Sequence, residues 1–200
     1  MTAPTDDGFT ERIRAMGGGA ASTQLNIVIT IDVAGIAAGR TVAECAWIFD
    51  NDPRSDGDGT AHLRTYCTPG QVLNFIIYPV DGARRPDGSF PDFPQIEAIV
   101  FYQSDRDTQV YKTMGDLRIY GAPDRMRSPY TPVYRYWAGT VEPDVEPGIY
   151  PYRLLLSLPG GPGGGRRYFE LDTASLEVVS ADAPASPDPA PDAGAASEVV

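Results

Sequence analysis

The chain has 200 residues, 42% of them hydrophobic, and a formal net charge of −11. That length suits one core with tails, and the acid excess argues against a nucleic-acid partner, which needs clustered Lys and Arg. No stretch is long and apolar enough to span a membrane, and the polar start lacks the apolar run of a secretory signal, so a cytoplasmic protein with no membrane partner is expected.

The 21 glycines and 19 prolines, without a long helical pattern, predict many turns between short strands. Residues 1–22 are polar and broken by Gly17-Gly18-Gly19, and are expected to form a disordered arm. Leu25 to Val33 alternates, with Leu25, Ile27, Ile29, Ile31 and Val33 on one side, which is the side-chain period of a strand. Ala34 to Thr41 reads as a small-residue connection and Val42 to Phe49 as a second strand. Asp50 to Gly59, DNDPRSDGDG, is a polar loop, followed by a short strand from Ala61 to Cys67. Gln71 to Val80 is apolar on both faces, as in a strand covered on both sides.

A long Pro- and Gly-rich connection leads to a strand over Ile96 to Tyr102. Val110 to Met114 and Leu117 to Tyr120 read as two short strands around Gly115-Asp116. The stretch from Val133 to Leu158 carries the strongest pattern. Tyr150, Tyr152, Leu154, Leu156 and Leu158 fall on one side, and Val133 to Val141 is β-branched and aromatic. EPDVEPG between the two halves predicts a hairpin of antiparallel neighbours, taken as the centre of the domain. Tyr168 to Leu171 and Ser175 to Val179 are expected to close it. From Ser180 the chain is Pro, Ala and Asp with almost no bulk, the composition of a disordered acidic tail. The expectation is a single all-β domain over residues 23–179, an antiparallel β-sandwich of the immunoglobulin-like or jelly-roll-like kind, with tail residues 180–200 outside it.

Taken in order, NIVITIDV, TPGQVLNFIIY, YRYWAGTV, YPYRLLLSL and YFELDTASLEVV resemble segments of the bacterial inclusion-body proteins of the PixA/AidA type. The resemblance spans most of residues 25 to 179. It implies a cytoplasmic, non-enzymatic protein that self-associates, and it carries no catalytic residues to transfer. The Pro/Asp tail, the GGPGGG loop and the short Ala34 to Val42 connection depart from that pattern.

The residues offer few sites for chemistry. His62 is the single histidine and no GxSxG turn accompanies it, so an ordinary strand histidine is expected and no catalytic group. Asp50, Asn51, Asp52, Asp56 and Asp58 place hard oxygen ligands within nine positions, the donor type calcium takes. The EF-hand order fails for want of a closing glutamate, so the reading stands between a calcium loop and a solvated turn. GGPGGG lacks the Lys-Ser/Thr of a phosphate loop and reads as a hairpin linker. Tyr130, Tyr134, Tyr136, Trp137, Tyr150 and Tyr152 crowd two strands. Most should pack in the core; on an outward side, Tyr134, Tyr136 and Trp137 would form a flat platform for a sugar or a protein partner. Two functions follow: a self-associating protein, expected as a homo-oligomer through sheet faces or edges, or a lectin-like module binding carbohydrate with calcium. No other cofactor is expected.

Overall fold

The computed structural model describes residues 24–82, 86–88, 93–102, 112–121, 135–160 and 165–180, all within one compact unit, Ser22–Ala181. The expected arm, the expected tail beyond Ser180, and Tyr130 and Tyr134 lie outside the described residues. Among the described residues nine strands form: β1 (Gln24–Ile31), β2 (Ala46–Phe49), β3 (Arg64–Cys67), β4 (Val72–Pro79), β5 (Gln95–Phe101), β6 (Met114–Gly121), β7 (Arg135–Val141), β8 (Gly148–Pro159) and β9 (Arg166–Val178). They make a five-stranded sheet in the order β2-β1-β4-β7-β6 and a four-stranded sheet in the order β3-β9-β8-β5. The all-β expectation holds. The expectation of a purely antiparallel arrangement does not, because β1 pairs parallel to β4 and β3 parallel to β9. No helix among the described residues is long and apolar enough to cross a membrane.

Alternation sets the faces. Leu25, Ile27, Ile29 and Ile31 of β1 are all buried, as are Tyr150, Tyr152, Leu154, Leu156 and Leu158 of β8. Strand β4 lies in the middle of its sheet, with Leu73, Phe75 and Ile77 buried on its inner face and Val72, Ile76 and Tyr78 half-buried on the other. The inner faces of both sheets contribute to one core. Phe75 of β4 meets Tyr152 of β8 edge-on at 5.5 Å between ring centroids, and Phe101 of β5 at 6.3 Å. The Trp137 Nε1–H of β7 donates to the Ile96 carbonyl of β5 at 2.7 Å, a polar tie from sheet to sheet. The Tyr152 hydroxyl is buried without a partner among the described residues, and burial pushes its phenol well above its ordinary value.

The predicted hairpin from Val133 to Leu158 does not form. Strand β7 pairs with β4 and β6 in the five-stranded sheet, whereas β8 pairs with β5 and β9 in the other. EPDVEPG therefore crosses from sheet to sheet. A Pro/Gly-rich stretch reverses the chain equally well in either case, and what decides is which strand offers a complementary inner face. The hairpin actually present joins β8 to β9 across the glycine-rich loop, as that loop's linker reading expected; residues 161–164 lie outside the described set.

Other boundaries also shift. Val33–Ala37 is a short helix, α1, where a plain connection was expected, because the Asp32 carboxylate accepts from the Gly35 N–H and caps it. The second strand begins at Ala46, after a 3-10 turn over Ala43–Cys45. The third begins at Arg64, so His62 stands exposed in a turn and not in a strand. The two short strands expected around Gly115-Asp116 are one strand, β6, with an irregularity between Gly115 and Arg118; Val110 lies outside the described residues. The two closing segments are likewise one strand, β9, which carries an extra residue opposite the step from Tyr152 to Leu154. That bulge turns Asp172 and Glu170 toward Arg153, with ion pairs at 3.3 and 3.2 Å.

Candidate functional site

The Asp-rich loop is held in shape by its own carboxylates. Asp50 accepts from the Asp52 N–H at 2.8 Å and from the Ser55 hydroxyl at 2.7 Å. Asp52 accepts from both the backbone N–H and the Nε–H of Arg54 at 2.9 Å. The Arg54 guanidinium in turn lies over the Tyr66 ring of β3 at 5.9 Å. Asp58 accepts from the Asp50 N–H at 3.3 Å, and Asn51 from the Asn26 N–H of β1 at 2.7 Å. Asp56 is exposed and bridges to Arg64 through its backbone alone. Gly57 takes a positive φ of 75° there, and a Cβ on it would stand 2.9 Å from the His62 carbonyl oxygen.

Burial pushes the Asp52 carboxyl up, but the hydrogen bonds and charge of Arg54 outweigh it and hold the carboxyl below its ordinary value. A depression of about 280 Å³ lies between Asp50, Asn51, Asp52, Ser55 and Asp58. The acids around it are turned into the loop's own N–H groups and Arg54. Among the described residues no three His, Cys, Asp or Glu gather as ligands for a metal ion. The carboxylates of the loop are engaged in closing it.

The two cysteines are buried and free, and they do not sit in neighbouring strands: Cys45 ends the 3-10 turn beside the five-stranded sheet, and Cys67 ends β3 in the other. Desolvation pushes the Cys67 thiol up to about 12, so it is held protonated and unreactive. Ser157, fully buried, is hydrogen-bonded to the Glu97 carboxylate and accepts from Arg166 Nε at 2.8 Å. Arg166 also donates to the Phe93 and Ser157 carbonyls. This group ties β5, β8 and β9 together.

The structure separates the expected aromatic platform. Trp137 faces inward, register partner to Phe75, with its N–H spent on Ile96. Tyr136 faces outward and stacks on Tyr120 of β6, centroids 5.6 Å apart and planes at 21°. Period two forbids neighbouring strand residues from sharing a face, so this split was available in the sequence. Tyr136 belongs instead to a row that crosses the whole outer face of the five-stranded sheet. Register aligns Phe49, Val28, Ile76, Tyr136 and Tyr120 on β2, β1, β4, β7 and β6. Phe49 and Tyr120 at its ends are 39% and 47% exposed. Sequence reasoning missed Val28, Ile76, Phe49 and Tyr120 as members of one surface. The available signals were Val28 standing among polar residues on the outer side of β1 and the second apolar face of β4. What was missing was the strand order that puts them in line.

Residues 23–85 match the model of a domain of unknown function (DUF8788). No curated protein matches the chain. Among solved structures, the chain is similar to the crystal structure of an inclusion body protein, PixA, from Burkholderia cenocepacia. The TM-score is 0.53 and the identity 12%, and the match covers 82% of this chain and 99% of that one. At that identity the likeness is one of fold.

Proposed function

We propose that this chain is a non-enzymatic, cytoplasmic protein that works by associating with copies of itself, on a β-sandwich spanning residues 23–179. The observation that carries the reading is the fold it shares with an inclusion body protein over nearly that protein's whole length. The packing of both sheets onto one core supports the sandwich. The described ionisable groups support a non-enzymatic role, since they are engaged in closing loops and tying strands: Asp52 with Arg54, Arg153 with Glu170 and Asp172, Glu97 with Ser157. Sedimentation velocity across a hundredfold range of concentration tests the reading. The expected outcome is a weight-average mass that rises to a dimer or beyond. A single species of 21.5 kDa at every concentration would overturn it.

A further inference from the structure

The outer face of the five-stranded sheet has an unusual make-up for this chain. The sequence holds 27 acidic residues. Yet among the described side chains that point outward from β1, β2, β4, β6 and β7, none is acidic. Its middle is the row Phe49, Val28, Ile76, Tyr136 and Tyr120. Asn26 and Asn74 run beside the row and satisfy each other, with the Asn74 amide donating to the Asn26 carbonyl oxygen at 2.8 Å. A sheet face in a soluble antiparallel layer ordinarily alternates to charged and polar residues on its water side. Here one row across all five strands of that side is aromatic and aliphatic.

We propose that this face is where two copies of the chain meet, sheet against sheet, about a two-fold axis running along β4. This rests on the self-association reading and names its surface. Three observations select a second copy. First, size: five strands at a spacing of about 4.8 Å and a length of roughly 23 Å give each face about 550 Å². Covering both removes on the order of 1,100 Å², past the roughly 1,000 Å² that specific interfaces need.

Second, symmetry: β4 is the middle strand of the five, so Ile76 is the centre of the row. A two-fold along β4 brings Ile76 onto its own equivalent and lays Phe49 at one end of the row against Tyr120 at the other, apolar on apolar throughout. Third, charge: the described outward side chains of the face carry no carboxylate, so the repulsion between two chains of charge −11 is not concentrated there.

Sedimentation equilibrium on the full chain tests the face. Ile76→Asp should raise the dissociation constant by roughly a hundredfold, as a charge buried at the centre of an interface does. Tyr168→Asp, at a residue 64% exposed on the other sheet, should leave it unchanged. Circular dichroism and the melting temperature of each variant establish that it folds. If Ile76→Asp does not fold, Ile76→Cys, a small apolar replacement, supplies the reading through mild oxidation. A disulfide-linked dimer should form in that variant and not in Tyr168→Cys. Unchanged association of Ile76→Asp, or no linked dimer from Ile76→Cys, in a wild type that self-associates would overturn this face and leave self-association standing. A wild type that stays monomeric would remove both.

Discussion

At the scale of single residues, Trp137 and Asp52 carry the clearest consequences. Trp137 fills space beside the core and spends its N–H on the Ile96 carbonyl, next to an irregularity in β5 that takes that strand off its regular pairing. Trp137→Phe keeps the apolar ring but strands the carbonyl. We expect a loss of about 1–3 kcal/mol, read as a lower urea midpoint with an unchanged slope. An undiminished midpoint would show that the carbonyl finds water. Asp52 is held below its ordinary value in the folded chain. A depressed carboxyl contributes stability that is present above its unfolded pKa, roughly 3.9, and is lost as pH falls through the folded pKa. Asp52→Asn should therefore be less stable than wild type at pH 7, with the gap closing below about pH 4. Urea titrations at pH 7 and pH 3 check it; a gap that persists unchanged at pH 3 would assign Asp52 a role other than its charge.

At the scale of elements, the irregularities are matched to each other. Gly139 of β7 lies where β6 departs from regular pairing between Gly115 and Arg118. A Cβ on Gly139 would stand 2.9 Å from the Gly115 carbonyl oxygen and 3.1 Å from the Leu117 Cα. Both are backbone atoms, so the strand would have to move along with the Leu117 side chain, whose Cδ1 stands at 2.9 Å. Gly139→Ala is expected to destabilise by about 1–3 kcal/mol through that overpacking. Thermal unfolding checks it, and a melting temperature equal to wild type would show β6 to be free to shift. The bulge in β9 follows the same logic. Its extra residue lets Asp172 and Glu170 both reach Arg153, whose guanidinium also lies over Tyr102 at 5.8 Å.

At the scale of the whole molecule, charge and apolar surface pull against each other. Two copies each of charge −11 repel at long range, whereas the row through Ile76 attracts only on contact. Raising salt from about 0.01 M to 0.15 M shortens the Debye length from roughly 30 Å to 8 Å and should tighten association. Light scattering in both buffers reads the shift. Weaker association at the higher salt would mean that ion pairs, not apolar contact, hold the assembly together.

The chain's local pattern determined which side chains of each strand point together. In the run expected over Leu25 to Val33 the inward positions from Leu25 to Ile31 are buried, as are those of Tyr150 to Leu158, whereas Val33 opens α1 and is half-buried. That is legible because the side-chain period of a strand is a property of the backbone itself. Partner choice is not local. Whether EPDVEPG returns the chain to the same sheet or carries it to the other depends on β4 and β5, more than thirty residues upstream, which compete for β7 and β8. Only that competition aligned Phe49, Val28, Ile76, Tyr136 and Tyr120, drawn from five separate strands, into one surface, because a row across a sheet is written in hydrogen-bond register and nowhere in the order of residues along the chain.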